Sequence, residues 1–212
     1  MILTGYIVIY AYLFILLLIA SVLYKLNIKG VIIRKIMHIM LSFAWFISYY
    51  FFGATIHLLI PPITFVIFNI LAYKYNIFAW TDQDKSKGII YYPISFLILG
   101  IITYFNPEFY YAFGIGFLCM GLADGLAPLT ADYFKSREII NNKTITGTLT
   151  VLIVSLLVAL WFSLFFNLEF SIFKIIIIGI VAALLELIGQ DGLDNLYVPI
   201  GIALVVYLLG VV

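Results

Sequence analysis

Charge is scarce in this chain of 212 residues: lysine, arginine, aspartate and glutamate together make up 10% of it, against about 25% in soluble domains. Cysteine occurs once, as Cys119, which excludes a disulfide framework. One cysteine and two separated histidines, His38 and His57, supply no structural zinc site. There is no basic surface interleaved with aromatic residues, so nucleic acid is not an expected partner. The sequence G-x-x-x-x-G-K-[ST] is absent, which excludes a P-loop nucleotide site. Internal repeats of matching topology, frequent in transporters, are not seen either. The gaps between apolar runs are about fifteen residues at most, too short for a soluble domain. A single integral membrane domain over 1–212 is the expected organisation.

What the chain has is hydrocarbon. It is 66% hydrophobic with a mean hydropathy of +1.21. Apolar runs of about 17 to 25 residues read as spanning helices. They lie near 2–23, 31–52, 55–73, 89–105, 110–131, 147–166, 171–188 and 196–211. The expected fold is all-α, a polytopic transmembrane helix bundle of seven or eight spans. The first run has no basic n-region and no A-x-A site, so it reads as a true span rather than a signal peptide.

Basic residues are one-sided. Lys25, Lys29, Arg34 and Lys35 fall by the first loop, Lys74, Lys85 and Lys87 by the third, and Lys135, Arg137 and Lys143 by the fifth. Only Lys174 falls on the other side. The positive-inside rule places the odd-numbered loops in the cytoplasm and both termini outside. Fourteen or fifteen residues at 1.5 Å each then bring Asp124 roughly 22 Å down from the outer surface. That is the cytoplasmic third of a core about 30 Å thick. Glu186 reaches a similar depth on the seventh run. Arg34 and Lys35 sit at the cytoplasmic interface, with His38 one turn deeper, and Asp191, Asp194 and Asn195 precede the eighth run. Four helices present ionisable groups to one layer.

Each group has a chemical reading. Arg34 and His38 are four residues apart and share a helix face; with Lys35 they suit a phosphate clamp, although interfacial anchoring also accounts for an Arg-Lys pair. A carboxylate inside hydrocarbon costs from roughly 2.5 kcal/mol upward, so Asp124 reads as a magnesium ligand or as a charge neutralised by a basic neighbour. Asp132 is a candidate second ligand, with Pro128 a possible break between the two, and Glu186 is a third. Gly121 and Gly125 form G-x-x-x-G, a helix-packing pattern. Lys143 suits a nucleotide phosphate, with Asn142, Thr144 and Thr146 orienting it; Thr144 or Thr146 also suits a helix cap. Pro199 is expected in the first turn of the last span, where it is tolerated. The segment 81–88 reads as a solvated connection, Tyr91 and Tyr92 as interfacial aromatics, and His57 as structural.

Five pieces in this order resemble the polyprenol kinase family of integral membrane lipid kinases, which includes dolichol kinase, phytol kinase and a CTP-dependent diacylglycerol kinase. They are RKIMH (34–38), KGIIYYP (87–93), LADGLA (122–127), NKTITGT (142–148), and Glu186 with LDNLYVP (193–199). The resemblance implies transfer of the terminal phosphate of a nucleotide, often CTP, to the hydroxyl of a lipid alcohol, with a divalent metal such as Mg²⁺ and a cytoplasm-facing site. It implies catalytic roles for Asp124, His38 and Lys143. It further implies nucleotide contacts from Arg34, Lys35, Asn142, Thr144, Asp194 and Asn195, and metal contacts from Asp124, Asp132 and Glu186. Two departures stand out: Ala123-Asp124-Gly125 replaces the usual Gly-Asp-Gly, and Thr146-Gly147-Thr148 replaces Glu-Gly-Ser, which removes a carboxylate. Cytidylyltransferases that make CDP-lipids are distantly similar, so that reaction is the nearest alternative. A transporter or scaffold with a buried ion-pair network is the alternative outside enzymes.

Overall fold

The computed structural model describes residues 1–77, 87–190 and 192–210. Lys85, most of the segment 81–88 and Asp191 lie outside these described residues. Among them the chain is a bundle of helices with one short hairpin. The helices are α1 (Ile2–Lys25), α2 (Gly30–Ser42), α3 (Ala44–Phe51), α4 (Ile60–Lys74), α5 (Gly88–Phe105), α6 (Tyr110–Tyr133), α7 (Ile145–Phe165), α8 (Ile172–Ile188) and α9 (Asp194–Leu208). The hairpin strands are β1 (Glu138–Ile140) and β2 (Lys143–Thr144). The second apolar run thus divides at Phe43 into α2 and α3, and the third opens with a 3-10 turn, Ile56–Leu58, before α4.

Six stretches are long and apolar enough to cross a membrane: Ile2–Lys25, Gly30–Phe51, Ile56–Lys74, Gly88–Phe105, Pro107–Tyr133 and Ile145–Phe165. The chain is therefore an integral membrane protein. Helices α8, with 17 residues, and α9, with 15, are shorter.

Helix α6 is the axis, buried along most of its length and packed on α2, α5, α7 and α9. Its small residues permit this. A methyl group at Gly121 would overlap Cβ of Ser42, and one at Gly125 would overlap Ile39. The G-x-x-x-G pair is thus the seam on which α2 lies against α6. Proline does not break the axis, because Pro128 lies inside α6, which runs on to Tyr133.

Two further prolines lie past the first turn of a helix. Pro93 of α5 has no N–H to offer the carbonyl of Ile89. Asn69 of α4 meets that vacancy: its Nδ2 donates to Ile89 O at 2.8 Å. In hydrocarbon such a substitute is needed, since no water reaches the freed carbonyl. Helix α9 starts at Asp194, earlier than the sequence suggests, so Pro199 is its sixth residue and lies past the first turn.

Candidate functional site

The seam between α2 and α6 brings the first cluster together. Lys35 Nζ donates to Asp124 Oδ1 at 2.7 Å. His38 Nδ1 lies 3.4 Å from Asp124 Oδ2, within ion-pair range but without hydrogen-bond geometry. The close approach allowed by Gly125 sets this, since Lys35 and Ile39 are on the α2 face that meets it. His38 is held from the other side by Tyr92 of α5, whose ring stacks on it with centroids 4.6 Å apart. Tyr92 OH also donates to the His38 carbonyl at 3.4 Å. Tyr92 is therefore an internal residue, 2% exposed, and not an interfacial anchor. The pair Tyr91-Tyr92 before a proline gives no indication of which ring turns inward; the stack on His38 decides it.

A second cluster forms where the hairpin meets α8 and α9. Its turn, Asn141-Asn142, has φ of 51° and 60°, a left-handed pair that asparagine tolerates and that suits a two-residue hairpin. Asn141 Oδ1 accepts from Gln190 Nε2 at 2.6 Å, which ties the hairpin to the end of α8. Lys143 then reaches inward, 2.5 Å from Glu186 Oε1 and 3.2 Å from Asp194 Oδ2. Burial works against the charge on Lys143, but the carboxylates of Glu186 and Asp194 outweigh it, with a smaller contribution from Asp124. Its pKa is raised above the ordinary lysine value, so it is an ammonium at any physiological pH. The influence of Asp124 on Lys143 shows that both clusters share one field.

They also share one space. A polar cavity of about 110 Å³ is bounded by Arg34, Lys35 and His38 on α2 and by Asp124 on α6. Its far wall is Gly192, Asp194 and Asn195. Asn195 Oδ1 and Glu186 Oε2 are buried without hydrogen-bond partners among the described residues. The cavity is rimmed by Arg34, Lys35, His38 and the Asp124 carboxylate on one side and by Asp194 and Asn195 on the other. Arg34 and His38 also line an adjoining apolar cleft of about 100 Å³, walled by α1, α2, α4 and α5.

Not every expected residue arrives. Asp132 is exposed. With α6 unbroken, the eight residues from Asp124 place it about 12 Å further along the axis, so the two cannot share an ion. Glu186 is bonded to Lys143 instead. Among the described residues no group of three or more His, Cys, Asp or Glu is placed to hold a metal ion. The expected ligand trio of Asp124, Asp132 and Glu186 is therefore corrected: Asp132 drops out because the helix continues through Pro128. Asn142 is exposed at the hairpin turn and outside the cavity wall. Thr144 caps α7, its Oγ1 accepting from the Gly147 N–H at 3.1 Å. Thr146 and Thr148 hydroxyls are buried and unpartnered among the described residues. His57 accepts or donates at Nδ1 with Tyr6 OH at 2.8 Å, a contact remote from the cavity.

The chain matches no family model, no curated protein and no solved structure. Function is therefore argued from the cavity itself.

Proposed function

We propose that this chain is an integral membrane lipid-alcohol kinase of the polyprenol, dolichol or phytol type. It would transfer the terminal phosphate of a nucleotide, CTP by resemblance, to a lipid hydroxyl at the cytoplasmic face. The single observation that carries the reading is the shared wall at Arg34 and His38, with a polar, charged cavity on one side and a hydrocarbon-lined cleft on the other. A nucleotide phosphate and a greasy alcohol would meet at such a wall. The excess of basic residues in the odd loops supports a cytoplasm-facing cavity, and α8 and α9 serve as a short seventh and eighth span.

In this reading the hydroxyl oxygen attacks the γ-phosphorus, the bond from that phosphorus to the β–γ bridging oxygen breaks, and the nucleoside diphosphate leaves. The hydroxyl proton passes to His38, which the Tyr92 stack and the facing Asp124 carboxylate hold in position. Arg34 and Lys35 offset charge on the transferred phosphoryl, the main demand of such a reaction. Lys143 would meet a more distal phosphate by giving up part of its contact with Asp194. Magnesium suits oxygen donors and commonly takes one or two carboxylates with the rest from phosphates and water. Asp124 and Asp194, both on the cavity wall, would hold the ion by giving up the contacts they make with Lys35 and Lys143, and the ion there would offset charge on the phosphate oxygens.

The test is a direct transfer assay with purified protein, Mg²⁺ and a panel of prenols, with CTP and ATP in parallel. A phosphorylated alcohol is expected. Release of pyrophosphate with a phospholipid acid as substrate would instead establish the CDP-lipid-forming cytidylyltransferase. Failure with every alcohol, acid and nucleotide leaves the ion-pair network as a scaffold or relay.

A further inference from the structure

The ends of α1 and α4 repeat one short sequence. Tyr24-Lys25-Leu26-Asn27-Ile28 and Tyr73-Lys74-Tyr75-Asn76-Ile77 differ only at the third residue, and they fold alike. Each helix stops at its lysine. Asn27 and Asn76 follow with φ of 59° and 52°, the left-handed residue of a Schellman cap. Ile28 N–H donates to Leu23 O at 3.1 Å and Ile77 N–H to Ala72 O at 2.9 Å, which closes both caps in the same way. Both helices wall the apolar cleft, and Ala20 of α1 and Asn69 of α4 are its lining residues nearest these ends. Lys25 and Lys74 each follow five residues later, about 7.5 Å along the axis. The other two walls do the same from their N-termini. Lys29 precedes α2, four residues before the lining residue Ile33, and Lys87 precedes α5, two residues before Ile89. Every wall of the cleft thus ends in an exposed lysine at the mouth.

Among the described residues none of these four lysines makes an ion pair, whereas Lys35 and Lys143 both do. The sequence accounts for the imbalance. The first 80 residues hold five lysines and arginines and no aspartate or glutamate; Asp82 and Asp84 lie outside the described residues. At the hairpin, by contrast, Lys135 and Arg137 share their segment with Asp132 and Glu138. The helix dipole favours Lys25 and Lys74, which end their helices, but it opposes Lys29 and Lys87, which stand at N-termini. Four like charges around one opening repel one another, and an anion between them would relieve that. We propose that this lysine collar binds the phosphate of an anionic phospholipid in the leaflet on the cavity side. The level fits. Helix α1 has 24 residues and is about 36 Å long, longer than a hydrocarbon core of about 30 Å, so Lys25 at its end falls in the headgroup layer. Beside the collar the outward faces are apolar, with Val22 and Leu71 about half exposed. A soluble anion would meet only the charges, whereas a phospholipid also lays its acyl chains along these faces. Basic pockets between helices at this level suit acidic headgroups. The collar needs no nucleotide and stands apart from the kinase reading.

Native mass spectrometry of the purified full chain in detergent, titrated with phosphatidylglycerol or with phosphatidylcholine, tests this directly. Tighter retention of phosphatidylglycerol is expected. Lys25→Gln, Lys29→Gln and Lys74→Gln should each lower its affinity by about fivefold, the scale for one interfacial lysine. Lys25→Gln combined with Lys74→Gln should lower it by roughly twenty-five-fold if the two act independently. Lys25→Arg combined with Lys74→Arg keeps both charges and should keep the affinity within about twofold. Lys135→Gln removes a cation beyond the end of α6, outside the collar, and should leave the affinity unchanged. Unfolding midpoints identify any variant that fails to fold; should the double glutamine variant do so, Lys29→Gln, in the turn before α2, reads the collar by itself. Equal affinity for the two lipids, an equal loss in Lys135→Gln, or displacement of the lipid by glycerol phosphate at matching concentration would each overturn the proposal.

Discussion

The two ends of this bundle are built on opposite principles. At the end carrying Trp45, aromatic rings fill the space between α3, α6 and α7. Trp45 is fully buried, stacks on Tyr49 at 5.1 Å and meets Phe162 at 5.3 Å, with Phe46, Tyr110 and Phe166 around it. At the end carrying Asp124, the same α6 meets lysines, a histidine and carboxylates around a cavity. Rings that interlock at interior density leave nothing to bind. Paired charges around a space are poorer packing, and they stay available to a ligand that offers better partners. One end holds the helices together, and under the kinase proposal the other is where chemistry would occur.

That division can be broken from either side. Trp45→Ala should have the largest effect on stability, about 3–5 kcal/mol from lost packing and the void left behind. It would be read as a fall in the unfolding midpoint in detergent, with turnover per folded molecule nearly unchanged. Asp124→Asn should do the opposite. The amide keeps the size and can still accept from Lys35, so the midpoint should move less than for Trp45→Ala, while phosphoryl transfer falls by roughly 10²- to 10³-fold. A variant at either end that moves both readouts equally would erase the distinction.

Gly125 tests how the two ends communicate. Any side chain there strikes Ile39 and pushes α2 off α6, carrying Lys35 and His38 away from Asp124. Gly125→Leu should lower stability by about 1–3 kcal/mol through overpacking, and lower turnover by roughly tenfold to a hundredfold because misplacement of about 1 Å is enough for that. Gly125→Ala should show the same pair of changes at smaller size. Unchanged activity in both variants would mean that the α2–α6 seam does not position the site.

Much of the polar end is legible in the sequence for a thermodynamic reason. Ionisable residues are expensive inside hydrocarbon, so Asp124, Glu186, Lys35 and His38 announce themselves against an apolar background, and their common depth follows from helix rise alone. Their partners do not. Depth places Lys143 and Lys35 in one layer, but only the seam at Gly121 and Gly125 assigns Lys35 to Asp124, and only the hairpin with its Asn141–Gln190 bond assigns Lys143 to Glu186. Asp132 misleads because Pro128 suggests a break that α6 does not make. Tyr92 misleads because interfacial and buried tyrosines look alike in an apolar run. The apolar cleft is not legible at all, since its lining residues are the same leucines and isoleucines that face lipid elsewhere.

The smallest effect concerns Asn69, which lies between the two regimes as a polar residue serving structure. If its amide is there for the carbonyl that Pro93 leaves unmatched, then Asn69→Leu should destabilise by about 1–2 kcal/mol, the usual consequence of stranding a buried acceptor. The same substitution in a Pro93→Ala background should be nearly neutral, because the alanine restores the N–H that Ile89 O accepts in a regular helix. The expected coupling between the two sites is about 1 kcal/mol in a double-mutant cycle read from unfolding midpoints. Additive losses would break this account: Asn69 would then be acting on the cleft, as a contact to whatever occupies it, and its place would be with the end of the molecule that binds rather than the end that packs.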